Sequence, residues 1–379
     1  MKRLHTITLI LTLLLFCSFL TPAMAVINPA RLSDYEYTTD YKGNAIITRY
    51  KGSDADVVIP AELDGHPVTS IGTRAFLYHS GIRSVVIPDS VTEIGTFAFY
   101  GCSGLSSVVI PDTVIYIGGY AFAYCSSLLS ANLPSGLTVI QPYTFYNCVN
   151  LCELTLPQSL EAIETYAFYN TNLSDLVLPD SLTQIDTTAF SECCSLSLFE
   201  VSANHPVYTV VDGVLYDKTV QSLVCYPPAR IGSSYTIQDG TKIINDYALS
   251  CTSLTDVSIP ESVIRIEGNA FAASNLTSVI IPSSITVIPK EAFYNCSDLI
   301  YVYLPEGITN IGDYAFSGCS SLSLILIPKS LAFIGQNTFT LYDQSSDSYV
   351  PNPNITLLVA QDSPVIQYCE DNGLNYRVY

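Results

Sequence analysis

The amino-acid sequence predicts an elongated repeat solenoid, in which short coils stack along one axis. Three regularities predict it. A proline recurs every 22 or 23 residues within two runs, a phenylalanine follows each proline by eleven residues, and apolar residues alternate before each proline. A unit this short cannot enclose a core alone, so the units must stack on one another. The prolines are Pro88, Pro111, Pro134, Pro157, Pro179, Pro260, Pro282, Pro305 and Pro328, and the phenylalanines are Phe99, Phe122, Phe145, Phe168, Phe190, Phe271, Phe293, Phe316 and Phe339.

The unit Leu105–Cys125 shows how each coil is expected to fold. Side chains alternate between the two faces of a strand. Ser107 and Val109 should therefore point outward, while Val108 and Ile110 point into the core. Short strands and 3₁₀ or helical turns should then return the chain and place Phe122 at the centre. Successive strands should pair in parallel as a ladder along one face.

The first 25 residues resemble a secretory signal peptide. Lys2 and Arg3 precede an apolar stretch at 7–20, and Ala23-Met24-Ala25 forms a small-residue cleavage site. We expect cleavage after Ala25 and a secreted, extracellular or cell-surface protein. No later segment is apolar and long enough to predict membrane insertion after cleavage.

The remaining chain divides into five predicted segments. Residues 26–60 form an N-terminal β cap with a hairpin around Lys42-Gly43-Asn44, since solenoid ends need covering. Repeats fill 61–199 and 237–340, although Gln238 and Leu249 replace the usual proline and phenylalanine once. Between them, residues 200–236 contain two strand-like runs joined through Asp217-Lys218, which predicts an embedded hairpin. Residues 341–379 are expected to form a loop, to about 354, and then a C-terminal cap with a short helix between Pro364 and Asn372.

The net charge of the chain indicates which classes of partner it can bind. The chain has 34 acidic and 15 basic residues, a net charge of −19. Such a surface repels nucleic acids and anionic membranes. We therefore expect neither as a partner, although acidity also serves ordinary solubility.

The cysteines follow the repeat. Six of the twelve lie three residues after a repeat phenylalanine, and Thr171 and Ser274 take the same position in other units. A position that accepts cysteine, threonine or serine suits a small buried side chain. We expect stacked free thiols there, and disulfides between some coils remain the alternative. The six are Cys102, Cys125, Cys148, Cys193, Cys296 and Cys319.

No motif predicts catalysis, a metal or a cofactor. His66, His79 and His205 are far apart and flanked by glycine or proline, which predicts surface turns. No C-x-x-C pair has a histidine at zinc spacing, and no nucleophile-elbow, phosphate-loop or calcium-loop pattern occurs. The sequence predicts a protein that is not an enzyme and that needs no cofactor.

The outward strand positions form the candidate binding face. They are small near the N-terminus, acidic in the middle, and apolar or aromatic near the C-terminus. Adjacent exposed apolar side chains of this size predict a contact surface, although β-structure itself favours tyrosine and the C-terminal cap could cover them. The candidate residues are Ile280, Tyr301, Tyr303, Leu324 and Leu326, flanked by Glu153, Asp175, Glu200 and Asp256.

The series IPDSVTEIGTFAFYGCSGLSSVVIP (residues 87–111) resembles the leucine-rich repeats of the BspA type, also called the TpLRR or treponemal class. The likeness covers nearly all of 56–339. It implies a leucine-rich-repeat-like solenoid with a parallel strand ladder on one face and an embedded β-hairpin. It also implies an exported surface or secreted protein that binds host extracellular or cell-surface proteins, with no catalytic residues. A self-associating surface component and a carbohydrate-binding module remain alternatives.

Overall fold

A computed structural model describes residues 32–379 and confirms the repeat solenoid. The expected signal peptide, 1–25, and the first residues of the expected N-terminal cap lie outside the described residues. Each regular coil has three sides: a front strand, a shorter lateral strand, and a turn side that carries the repeat phenylalanine.

The front strands are three or four residues long and stack in parallel and in register wherever they pair. Ser84 lies opposite Ser107, for example, and Val85 opposite Val108. They are β3 (Asp56–Val58), β6 (Ser84–Val86), β8 (Ser107–Val109), β10 (Ser130–Asn132), β12 (Glu153–Thr155), β14 (Asp175–Leu178), β16 (Leu198–Val201), β20 (Ser234–Thr236), β22 (Asp256–Ser258), β24 (Ser278–Ile280), β26 (Tyr301–Tyr303), β28 (Leu324–Leu326), β32 (Thr356–Val359) and β33 (Asn375–Val378).

The lateral strands follow the proline and are mostly two residues long. In the two-residue strands the second residue points towards the core, as Ile117 does after Tyr116. They are β2 (Ala45–Tyr50), β5 (His66–Ile71), β7 (Glu93–Ile94), β9 (Tyr116–Ile117), β11 (Val139–Ile140), β13 (Ala162–Ile163), β15 (Gln184–Ile185), β19 (Ser222–Cys225), β21 (Ile243–Ile244), β23 (Arg265–Ile266), β25 (Val287–Ile288), β27 (Asn310–Ile311) and β29 (Phe333–Ile334).

The turn side differs from the expected 3₁₀ or helical turns, because it consists of consecutive β-turns. Tyr120 and Tyr124 have φ angles of 58° and 60°, which no right-handed helix allows. The N–H of Ala121 bonds within the turn to Gly118, whereas the N–H of Phe122 bonds to Thr144 of the next coil. Alternate N–H groups therefore point along the solenoid axis, and the turns form a third hydrogen-bonded ladder.

The repeat phenylalanines form two stacks along the axis. Phe122 is fully buried, with its ring centroid 5.3 Å from Phe99 and 5.7 Å from Phe145. Burying each such ring stabilises the fold by roughly 1.5–3 kcal/mol. Leu249 and the insert separate the stack that ends at Phe190 from the one that begins at Phe271.

The repeat cysteines are buried free thiols beside these rings. Each Sγ–H donates to the carbonyl oxygen of the preceding coil's phenylalanine, as Cys125 does to Phe99 at 3.2 Å. The same contact lies between 3.0 and 3.2 Å in the other five: Cys102, Cys148, Cys193, Cys296 and Cys319.

The insert contains three strands, and its first turn was not foreseen. The first of the two predicted strand-like runs, at 210–216, divides at Asp212-Gly213. Both φ angles there are positive, as a two-residue type I′ hairpin requires. This gives β17 (Tyr208–Val211) and β18 (Val214–Asp217), which pair antiparallel. The expected antiparallel pairing across Asp217-Lys218 is present between β18 and β19, and β19 then pairs in parallel with β21.

The insert divides the interior into two hydrophobic cores. Leu215 and Val224 pack into the N-terminal core, whereas Val214, Tyr216 and Leu223 pack into the C-terminal core. Side chains alternate between the two faces of a strand, so one face of this small sheet covers the end of the N-terminal core and the other covers the start of the C-terminal core.

The prediction that His205 lies at the surface is wrong, because its ring is fully buried at the start of the insert. Its Nδ1 accepts the backbone N–H groups of Val207 and Tyr208, and its Nε2 lies 3.1 Å from the Pro179 carbonyl oxygen. Nε2–H therefore donates to that oxygen. Burial lowers the pKa of His205, which favours this neutral ring.

Both ends extend the ladders. At the N-terminus, a 3₁₀ turn (Leu32–Asp34) leads into β1 (Tyr35–Thr39), which pairs antiparallel with β2 around the expected turn. The front ladder already begins with β3, inside the segment assigned to the cap, and β4 (Glu62–Leu63) forms a small hairpin with β5.

At the C-terminus, part of the expected loop 341–354 is instead a hairpin of β30 (Thr340–Asp343) and β31 (Ser348–Pro351). The Asp343 carboxylate stabilises its turn by accepting the backbone N–H of Ser345. The expected helix is α1 (Val365–Asp371), which buries Val365 and Cys369, and β33 then closes the front ladder beside β32.

Candidate functional site

The front face displays two outward side chains per strand. In β26, Val302 is buried while Tyr301 and Tyr303 on either side of it are exposed. The pairing register stacks outward residues of successive coils, so Ser278 lies opposite Tyr301 and Ile280 opposite Tyr303. Across β24 and β26 the backbone therefore arranges predicted site residues in two rows, and β28 follows β26 as the next front strand.

The apolar candidates come together at the C-terminal end of this face, and we call them the apolar patch. Between 43% and 63% of each side chain is exposed, a large fraction for aliphatic and aromatic residues in the middle of a sheet. The patch consists of Ile280, Tyr301, Tyr303, Leu324 and Leu326.

The C-terminal cap continues the sheet beyond the patch. Strand β32 pairs with β28, placing Thr356 opposite Leu324 and Leu358 opposite Leu326. Leu358 thus prolongs the apolar row, and the alternation of 356–359 is the sequence signal that identifies it. Asn375 and Arg377 of β33 follow as polar neighbours. The patch is therefore bordered by the cap rather than buried beneath it.

The acidic candidates separate into two places. Glu153, Asp175 and Glu200 lie on β12, β14 and β16, before the insert. Asp256 lies on β22, beyond β20, and its neighbours in register are Ser234 and Ser278. The acidic band thus consists of three residues, and Asp256 lies apart from it because the front strand β20, with Ser234, comes between.

A groove lies on the turn side and was not predicted as a site. This groove has a volume of about 530 Å³. Within it, the hydroxyl groups of Tyr294 and Tyr349 form a hydrogen bond of 3.0 Å. The Tyr314 ring packs edge-on against the Tyr349 ring, with the ring centroids 5.1 Å apart. The sequence did not predict the groove, because Tyr349 comes from the unforeseen hairpin of β30 and β31. Other lining residues are Tyr169, Tyr247, Glu192, Glu291, Asn269 and Asn295.

The repeat matches a known family model. The model of the BspA type leucine rich repeat region matches six copies, over residues 69–197 and 231–345. The leucine-rich repeat solenoid is typically non-catalytic. No curated protein sequence matches the chain. Among residues 32–379, no helix has the length and apolar character needed to cross a membrane.

Solved structures share the fold. A leucine rich cell surface protein from Faecalibacterium prausnitzii is 32% identical, with a TM-score of 0.69 over 83% of this chain and 94% of that chain. The pneumococcal vaccine antigen PcpA is 23% identical, with a TM-score of 0.74 over 91% and 96%. A leucine-rich repeat protein from Eubacterium ventriosum is 22% identical, with a TM-score of 0.51 over 80% and 91%. The last two likenesses concern the fold alone.

The stacked coils, the repeat motif and the identity to the Faecalibacterium protein agree. The chain belongs to the family of BspA-type leucine-rich repeat proteins.

Proposed function

We propose that this chain is an exported, non-catalytic protein that binds another protein through the apolar patch and so mediates adhesion to host or cell-surface proteins. The observation that carries the proposal is the exposure of five contiguous apolar side chains on a sheet that the cap leaves open. Export and a surface location are supported by the expected signal peptide and by the similarity to a cell surface protein.

The size of the patch supports the role of an interface centre. Neighbouring strands are about 4.8 Å apart and alternate residues about 7 Å apart, so the patch spans roughly 10 by 7 Å between Cα positions. A stable interface buries about 800 Å² on each partner. Tyrosine is frequent among the residues that contribute most to binding, and polar residues usually surround them. The small and acidic front-face residues would form that rim.

The charge of the chain favours a partner of different composition. A second copy would also carry a net charge of −19, and this repulsion opposes self-association. A protein with a basic surface around an apolar centre would instead be attracted by the acidic band, mainly through faster association at low salt. We therefore assign the patch to a heterologous protein, with the self-associating surface component as the outcome that would contradict it.

Replacing Tyr301 and Tyr303 together by serine is expected to weaken partner binding by about 2 kcal/mol or more, roughly 30-fold. Both side chains point out of the sheet, so the thermal unfolding temperature should change little. The wild-type chain would first capture a protein from extracellular matrix or epithelial lysate. The dissociation constant of that purified protein would then be measured for both forms.

The matched control is Val109→Ser, which removes an exposed apolar side chain from the same outward row outside the patch. Its affinity should equal that of the wild type. Equal affinity of the double variant would contradict the proposal. Light scattering that shows a dimer of the wild type, lost in the double variant, would assign the patch to self-association.

The turn-side groove favours carbohydrate binding as a second candidate function. Tyrosine rings beside carboxylates and amides offer stacking surfaces and hydrogen-bond partners, the usual lining of a small-molecule site. Tyr349→Ala should abolish any glycan-array signal of the wild type, while Tyr116→Ala, at an exposed lateral position, should retain it. A wild-type chain that binds no glycan on the array would exclude this candidate.

A further inference from the structure

Three metal-ligating side chains meet on the turn side, where the coils before and after the insert adjoin. One ligand atom from each of Glu192, Cys194 and Cys251 lies within 4.8 Å of the other two. Within residues 32–379, no other group of three histidine, cysteine or acidic side chains meets this condition. The sequence did not predict it, because Cys251 is far along the chain from the other two.

The repeat explains why these residues meet. Glu192 follows Phe190 by two positions, and Cys251 follows Leu249 by two, so they occupy the same position of successive coils. Both have the left-handed backbone that this position requires, with φ angles of 59° and 55°. At this boundary the Ala248 carbonyl oxygen accepts from Tyr226 of the insert rather than from the turn before it. Side chains nevertheless cross the boundary, because the Thr187 hydroxyl donates to Asp246.

The two cysteines differ from those of the repeat position. The repeat thiols are buried and donate to backbone carbonyl oxygens, and Cys193 already fills that position in its coil. Cys194 is an additional, exposed thiol. Cys251 is half-buried, and its Sγ–H donates to Glu192 Oε2 at 3.1 Å rather than to the backbone. Two thiols and a carboxylate thus face one point that solvent can reach.

We propose that Glu192, Cys194 and Cys251 bind a thiophilic divalent cation of the zinc type. Zinc is held by thiolate sulfur at about 2.3 Å and carboxylate oxygen at about 2.0–2.2 Å, usually in a tetrahedron. Ligand atoms around such an ion lie about 3.5 Å apart, which small side-chain rotations from the observed spacing provide. Both thiols release their protons to solvent on binding, and a water molecule completes the tetrahedron on the open side. The cation would join the coils on either side of the insert.

Zinc titration of the full chain tests this directly. The protein would be reduced, freed of metal with a chelator, and titrated with Zn²⁺ against a chromophoric competitor. We expect one equivalent to bind. Either Cys194→Ser or Cys251→Ser should weaken binding by about 100-fold, and Glu192→Gln by about tenfold. Co²⁺ should produce a near-ultraviolet thiolate charge-transfer band in the wild type that both cysteine variants lose.

The control is Cys152→Ser, which changes a partly exposed thiol that donates to the Leu129 carbonyl oxygen. It should bind zinc like the wild type, and circular dichroism should show every variant folded. Zinc binding that survives in Cys194→Ser and Cys251→Ser, or the absence of a bound equivalent in the reduced wild type, would overturn the proposal. So would a thiol count showing that Cys194 and Cys251 form a disulfide that the reductant leaves intact.

Discussion

Replacing Phe122 by alanine is expected to lower the free energy of unfolding by about 3–5 kcal/mol. The ring is fully buried and stacks almost parallel to Phe99 and Phe145, with interplanar angles of 3° and 7°. Truncation removes contacts on both sides and leaves a cavity in the middle of the stack. Each coil contacts only its neighbours, so the coil of Phe122 connects the coils of Phe99 and Phe145. Losing the ring therefore also weakens the connection between those two coils.

Urea unfolding followed by circular dichroism would measure this effect. Phe122→Leu should lower the free energy of unfolding by less than Phe122→Ala does, since Leu249 occupies the same position in one natural coil. The control is Phe333→Ala, at an exposed lateral position, which should cost well under 1 kcal/mol. If Phe122→Ala unfolded at the same urea concentration as Phe333→Ala, the stacked rings would not be the main stabilising contact of the coil.

The chain is also expected to lose stability steeply above pH 9, because its repeat thiols are buried. Burial raises the pKa of Cys102 and Cys148 to about 12, and that of Cys193 and Cys296 to about 11. Each pKa is higher in the folded state than in the unfolded chain. The stabilisation is therefore complete below pH 9 and is lost as pH rises towards the folded values. The loss is about 1.4 kcal/mol per thiol and pH unit, or roughly 5 kcal/mol for these four at pH 10.

Thermal unfolding under reducing conditions, from pH 7.5 to 10.5, would measure the decline. Buried tyrosines such as Tyr208 and Tyr216 also have raised pKa values and contribute to it. The informative quantity is therefore the difference from a matched variant in which the same four cysteines are serine, the residue that Ser274 supplies naturally. The unfolding temperature of this variant should decline less steeply with rising pH than that of the wild type. Identical slopes would show that thiol ionisation does not control alkaline unfolding.

The sequence by itself determined the repeating coil and the face on which each residue lies. Strand alternation placed Val302 in the core and Tyr301 and Tyr303 outside, and the structure has them there. The same periodicity located the phenylalanine stack and the buried thiols. These features depend on local spacing, which a single sequence displays directly.

Only the tertiary structure decided which parts of different coils meet. It divided the core at the insert, formed the β30–β31 hairpin beside the groove, separated Asp256 from the acidic band, and brought Cys251 to Glu192 across 59 residues. It also replaced the expected helical turns with β-turns. The physical reason is that these features depend on pairing between distant segments and on N–H groups that bond to the next coil. The spacing of residues within one unit does not specify such partners.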